Sequence, residues 1–134
     1  MFRVLFLPFA LFLAAFSFAP HQEPPSKTAA PSTAAPQVNP VKPTPEGLAR
    51  AKKVWGYDCS MCHGDKGNGK GDVVDAMKLT MKDYTDPAAL KDMTDGQLFV
   101  VIKDGKGQMP GEGDRAKPDD IWNLVILIRS MAKK

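Results

Sequence analysis

An all-α fold of four to five short helices is what this sequence predicts, on three observations. Apolar side chains recur at helical spacing in several stretches between residues 46 and 134. Those stretches are bounded by residues that start and stop helices. No stretch alternates apolar and polar residues as a half-buried strand would, and no internal repeat is present.

The elements follow in order. Thr44-Pro45-Glu46 supplies a hydroxyl cap, a proline for the first helical position and an acid in the first turn. Leu48, Ala51, Val54 and Trp55 follow at helical spacing, which places a helix over about residues 45–57. Met77 and Met81 lie four apart and fit one core-facing side of a short helix. Asp86-Pro87 starts another short helix, through Leu90. Thr94-Asp-Gly-Gln97 fits a capping box, and Leu98, Phe99, Val101 and Ile102 form the apolar face behind it. Gly105 lies just past the end, where a left-handed residue is wanted. Pro118-Asp119-Asp120 opens the last helix. Its stripe of Ile121, Leu124, Val125, Ile128 and Met131 is widened by Trp122, Ile126 and Leu127. That width requires a second helix and something else as neighbours. Lys133 and Lys134 suit its C-terminal end.

Only residues 46–134 carry this pattern. Residues 1–19 have Arg3 followed by an uncharged apolar run, the layout of a secretory signal. Ala15-Phe16-Ser17 and Ser17-Phe18-Ala19 are two cleavage frames. The run from Val4 to Ala19 falls slightly short of the roughly 18 residues of a membrane span. An uncleaved anchor through residues 4–19 is the second reading. Residues 20–45 hold eight of the chain's 12 prolines, with Ala, Ser and Thr filling much of the rest. Such a segment cannot offset its ordering entropy and reads as an extended linker. It makes most sense as a tether, with something anchored at its far end. The chain is expected in the periplasm, soluble or anchored at its N-terminus.

Composition excludes several classes of function. The 134 residues allow one domain, and a net charge of +3 is too balanced for a nucleic-acid binder. Two cysteines rule out a disulfide-dense scaffold. Of the two histidines, His21 lies in the linker, which excludes a two- or three-histidine metal site.

Cys59-Ser60-Met61-Cys62-His63 is the C-x-x-C-H pattern of covalent c-type haem attachment. Two thiols three positions apart reach both vinyl groups of one porphyrin as thioethers. The adjacent histidine then lies beneath the iron. The export signal agrees, because this attachment is made outside the cytoplasm. Three other readings weigh less. A redox dithiol shares the spacing but usually follows a strand. A Cys59–Cys62 disulfide would close a very tight loop and leave His63 unexplained. Zinc needs four ligands, and two cysteines with one histidine fall short.

The sixth iron ligand is sought among Met61, Met77, Met81, Met93, Met109 and Met131. Met61 lies inside the attachment loop. Met131 suits core filling on the last helix. Met93 directly precedes a helix cap. Met109 lies in Gly105-Lys-Gly-Gln-Met109-Pro110-Gly111, a polar glycine loop in which packing explains a methionine poorly. Met109 is favoured, with Met81 or Met77 in reserve.

Five stretches, in order, resemble the class I mono-haem cytochromes c of bacteria: Cys59 to Gly64, Gly67 to Asp72, Met93 to Phe99, Asp104 to Pro110, and Ile121 to Leu124. The resemblance runs over residues 46–134. It implies a compact cytochrome c fold around one covalently bound haem, with the first and last helices crossing. Trp122 would lie near that crossing and Trp55 would join it. Many relatives carry a proline after the glycine-rich loop, whose carbonyl accepts the second N–H of the ligand histidine. Here Asp72-Val73-Val74 replaces that pattern, so some other carbonyl is expected to orient His63.

The expected function is electron transfer, and not enzymatic catalysis. Cys59 and Cys62 hold haem c, His63 is the proximal iron ligand and Met109 the distal one. Thioether sulfur favours Fe(II), and two filled axial positions leave no site for oxygen or substrate. A monomer is expected to shuttle single electrons between a redox protein donor and acceptor. Lys66, Lys70, Lys78, Lys82, Lys103 and Lys106 flank the two loops at the haem edge and offer a docking ring for an acidic partner. Asp65, Asp72, Asp75, Asp83 and Asp104 interleave with them and weaken that reading. Two rivals stand beside the carrier. One is a gas sensor or peroxidase-like enzyme with an open sixth position, although no distal histidine or arginine is evident near Met109. The other is a fixed relay subunit of a larger oxidoreductase.

Overall fold

The structure, a computed structural model, describes residues 38–132. The apolar segment 1–19, the linker as far as residue 37, and Lys133 and Lys134 lie outside the described residues. Among the described residues there are four α-helices, one π-helical turn and no strand. No helix among them is long and apolar enough to cross a membrane.

Helix α1 spans Pro45–Val54 and starts as its sequence requires: the Thr44 hydroxyl accepts from the Gly47 N–H at 3.0 Å. The chain does not leave the helix at about residue 57. It winds through a π-helical turn, Trp55–Cys59, into α2, Ser60–His63, so helical structure runs unbroken from Pro45 to His63. Helix α3, Asp95–Asp104, opens with the predicted capping box: the Gln97 N–H donates to Thr94 Oγ1, and the Thr94 N–H donates to Gln97 Oε1 at 2.8 Å. It stops at Gly105, whose φ is +79°. Helix α4 spans Pro118–Ser130.

Helix α4 is the spine of the core. Ile121, Leu124 and Val125 are almost completely enclosed, and Trp122, Leu127 and Ile128 are buried beside them. Each such side chain contributes on the order of 1.5–3 kcal/mol by leaving water. Helix α1 covers one side of α4. The two approach so closely at Gly47 that a Cβ there would lie 2.6 Å from Asn123 Oδ1. An Arg50–Asp120 ion pair at 2.9 Å flanks the contact. Helix α3 covers the other side, where Phe99 stacks on Trp122 with centroids 4.2 Å apart. Trp122 therefore adjoins the α1–α4 contact at Asn123 but gives its ring to α3. The wide stripe of α4 has its two helical neighbours, and its remaining face, Leu124 and Ile128, borders a cavity.

Two predicted short helices are absent. Residues 84–92 form successive turns, with Ala89, Lys91 and Met93 each donating three residues back. Asp86 does cap its turn, accepting from the Ala88 N–H at 2.8 Å. Propagation fails because the carbonyls are claimed from outside. Lys82 Nζ donates to Ala89 O, and Arg129 donates to Leu90 O and Met93 O while pairing with Asp95 at 2.9 Å. Residues 72–78 are likewise a run of turns, with Lys78 at φ +52°, and residues 79–83, which include Met81, have no regular structure. Met77 is 48% exposed and does not fill a core.

Residues 38–44, at the end of the proline-rich segment, reach the domain. Asn39 Nδ2 donates to Trp122 O at 3.0 Å, and Val41 packs against the core.

Candidate functional site

A cavity of about 420 Å³ opens between α4, α3, the α1–α2 helical run and the loop after α3. Cys59, Cys62, His63 and Met109 all line it. So do Met77, Met81 and Met93, whereas Met61 is exposed to solvent and Met131 packs against the core instead. Leu90, Leu98, Ile102, Leu124 and Ile128 make the wall apolar.

One wall is helical. Trp55, Cys59, Cys62 and His63 fall at spacings of four, three and one, which puts them on one face. The π-turn ends at Cys59, and such turns concentrate at functional sites. The glycine-rich loop that follows closes the helix end. A helix leaves its last four carbonyls without partners. Here Ser60, Met61, Cys62 and His63 receive N–H groups from Gly64, Val73, Gly71 and Gly69. Gly71 must be a glycine, since a Cβ would lie 2.2 Å from Met61 O.

His63, Trp55 and Tyr84 form a three-ring cluster, in which Trp55 and Tyr84 also meet edge-on at 6.4 Å. Tyr84 stacks on His63 with centroids 5.2 Å apart, and Trp55 tilts against His63 at 5.7 Å. The Tyr84 N–H donates to Gly67 O at 2.7 Å, tying that ring to the loop after the motif. The expected carbonyl for the imidazole is not there. His63 Nδ1 is buried and has no hydrogen-bond partner among the described residues. The reason is visible in the segment without proline. The Val73 and Val74 carbonyls already accept from Met77 and Leu79 inside their own turns. Trp55 belongs to this wall, and its Nε1 is also buried without a partner.

The facing wall is a loop. Lys106 and Met109 exchange both backbone hydrogen bonds at 3.0 Å, and Met109 is half-buried against the core. Glu112 follows, buried at 4% exposure and bordering the cavity. Its N–H donates to Ile102 O at 2.8 Å, and its carboxylate accepts from Arg115 Nη2 at 2.5 Å. Arg115 also reaches Asp58 at 3.2 Å. No sequence pattern announced Glu112, Arg115 or Tyr84. Of the six candidate docking lysines, Lys78, Lys82 and Lys106 border the cavity, and Lys103 is paired with Asp104.

The electrostatics narrow the chemistry. Both cysteines are free thiols. Burial, with the charges of Glu112 and Asp58, pushes the Cys59 thiol up to about 12. A redox dithiol attacks through a thiolate, and this shift disfavours one at Cys59. Burial pulls the His63 imidazole below its ordinary value, toward the neutral form that binds metals. Burial also raises the Tyr84 phenol, with a smaller push from Cys59. Among the described residues no group of three or more His, Cys, Asp or Glu side chains is placed to hold a metal ion. The residues present fit haem c. Two free thiols and a histidine held toward its neutral form line one apolar cavity, together with several thioether sulfurs.

Comparison with known proteins gives the family of the chain. Residues 46–128 match the family model described as "Cytochrome C oxidase, cbb3-type, subunit III". Over 82 residues the chain is 30% identical to cytochrome c6 of Gloeothece citriformis (strain PCC 7424), covering 61% of this chain and 69% of that protein. The fold matches a chain of the Kuenenia stuttgartiensis reducing HAO-like protein complex with a TM-score of 0.61 at 20% identity, over 70% of this chain and 47% of that one. It matches cytochrome cL of Hyphomicrobium denitrificans with a TM-score of 0.50 at 28% identity, over 65% of this chain and 48% of that one. The chain thus spans about half the length of those two structures.

Proposed function

The chain belongs to the family of Cytochrome C oxidase, cbb3-type, subunit III, as a c-type electron-transfer cytochrome with one covalent haem c, and on that premise we propose a closed His/Met carrier. In this reading Cys59 and Cys62 form the thioethers, His63 is the proximal ligand and Met109 the distal one. The observation that supports it is the meeting of His63 and Met109, from two separate elements, around the same apolar cavity as both free thiols. Met109 is preferred over Met81 and Met77 because its loop is built: it is bridged to Lys106 and packed against the core.

Haem c supplies a one-electron iron couple when bound. The chain's residues do the rest. Tyr84 holds the His63 ring by its face, and Trp55 packs against it at a tilt. Leu98, Ile102, Leu124 and Ile128 keep water from the cavity. Met109 presents a soft sulfur, and with both axial positions taken the protein offers no site to a small-molecule substrate. Arg115 is near this wall, but its guanidinium is committed to Asp58 and Glu112, so it does not serve as a distal arginine for peroxide chemistry.

Residues 1–19 are read as an export signal or anchor, residues 20–45 as a linker, and the domain as working in the periplasm between a redox donor and acceptor. A fixed relay subunit is the second reading. The family description favours it by naming an oxidase subunit. Co-purification with a larger complex would separate it from a diffusing carrier.

Replacing Met109 with alanine tests the ligand. The variant should lose the sulfur–iron charge-transfer band, become high-spin and bind carbon monoxide when reduced. Met81→Ala should do none of these. An unchanged spectrum in Met109→Ala would remove Met109 from the iron.

A further inference from the structure

We propose that Arg115 is a positioning residue that latches the Met109 loop to the turn carrying Cys59, and so controls how readily the sixth position opens. The proposal rests on the Met109 reading above. Arg115 spans the two walls. Its Nη1 meets Asp58 Oδ1 at 3.2 Å, and its Nη2 meets Glu112 Oε1 at 2.5 Å. Asp58 lies on the π-turn, immediately before Cys59. Glu112 lies three residues after Met109, with only Pro110 and Gly111 between. Fifty-seven positions of chain separate Asp58 from Arg115, so the contact is tertiary.

The energetics give the latch its direction. The Glu112 side chain is 5% exposed and borders the cavity. A buried carboxylate is tolerated when a cation and hydrogen bonds compensate it. Arg115 is that cation and donates to the carboxylate, while the Arg115 and Ala116 N–H groups donate to the Glu112 main-chain carbonyl at 3.0 and 2.8 Å and fix the turn. Without the guanidinium, the carboxylate gains by moving toward water and takes its segment along. That movement is passed to Met109 because the intervening chain has no slack. A Cβ on Gly111 would lie 2.5 Å from Lys103 O, and the Gly113 N–H is bonded to the same oxygen at 2.9 Å. Asp58 is the other end of the latch. It fixes Arg115 to the wall that does not move, the helical run ending at His63.

The test is the rate at which imidazole binds the ferric holoprotein, compared among wild type, Arg115→Ala, Arg115→Lys, Asp58→Asn and Met109→Ala. The starting spectra of the Arg115 and Asp58 variants should match wild type, which separates a latch from a ligand. Arg115→Ala should bind imidazole about tenfold faster, the scale set by losing one partly buried ion pair. Arg115→Lys should recover part of the protection. High salt should speed wild type and leave Arg115→Ala unchanged. Should Arg115→Ala yield no holoprotein, Asp58→Asn carries the same test, because it cuts only the more exposed half of the bridge. Wild-type rates in both variants, beside a fast Met109→Ala, would overturn the latch and leave Met109 as ligand. An unchanged spectrum in Met109→Ala would overturn the ligand reading and the latch together.

Discussion

The two walls of the cavity are built in different ways. One is an unbroken helical run from Pro45 to His63, and a single glycine-rich loop answers its last four carbonyls. The carbonyls that end this run are answered from within the next ten residues, and the Tyr84 ring, the packing on α4 and the Arg115–Asp58 pair are added from farther along the chain. The other wall is the loop after α3. It has no helix of its own and hangs from the end of α3, at Ile102 O and Lys103 O, and, across the cavity, from Asp58. The helical wall is locally encoded and stiff. The loop wall is held by tertiary contacts, and such segments open at lower free energy than the core. The anchoring end of a site is thus safe, and the end that decides reactivity is adjustable.

The difference can be broken most completely at the helical wall. Exchanging Cys59 and Cys62 for serine together should abolish covalently retained haem on a denaturing gel, whereas Met109→Ala should retain it in full. A substitution in the element both walls share comes next. Leu124→Ala removes a side chain 1% exposed that borders the cavity and lies in the α4 core, and should cost about 2–5 kcal/mol in urea unfolding. Thr94→Ala weakens α3, which carries the loop wall at its end. It should cost about 1 kcal/mol by losing the capping box, and should raise imidazole binding more than a cap change at Thr44 does. The smallest effect is electrostatic. Burial raises the Tyr84 phenol above its ordinary value of 10.0, so the unfolded chain ionises first as pH climbs past that point. Tyr84→Phe keeps the ring on His63 and removes this titration. The stability difference between wild type and Tyr84→Phe should be flat below about pH 10 and fall against wild type above it.

What the sequence disclosed follows the same division. The caps at Thr44 and Thr94, the stop at Gly105 and the proline start of α4 are local rules, and the structure obeys them. Cys59, Cys62 and His63 were legible because one covalent chemistry dictates their spacing. Met109 stood out by its contrast with a polar glycine loop. The failures are tertiary. Asp86 capped its turn, but Arg129, 39 and 36 positions from the carbonyls of Leu90 and Met93, drew those groups out of a helix. Met77 and Met81 had helical spacing, but both line the cavity, and Met77 is half exposed. The carbonyl expected for His63 was a rule carried over from relatives. The chain instead packs the ring into a cluster with Trp55 and Tyr84. Arg115 meets Asp58 only once the chain has folded, and no local pattern could disclose it.

The central claim is a closed site with His63 and Met109 on the iron. The optical spectrum of the purified holoprotein, oxidised and then reduced, with and without carbon monoxide, tests it most directly. The account predicts a low-spin spectrum in both states, a sulfur–iron charge-transfer band in the oxidised form and no response to carbon monoxide. A high-spin spectrum, or rapid binding of carbon monoxide, would show an open sixth position and contradict it.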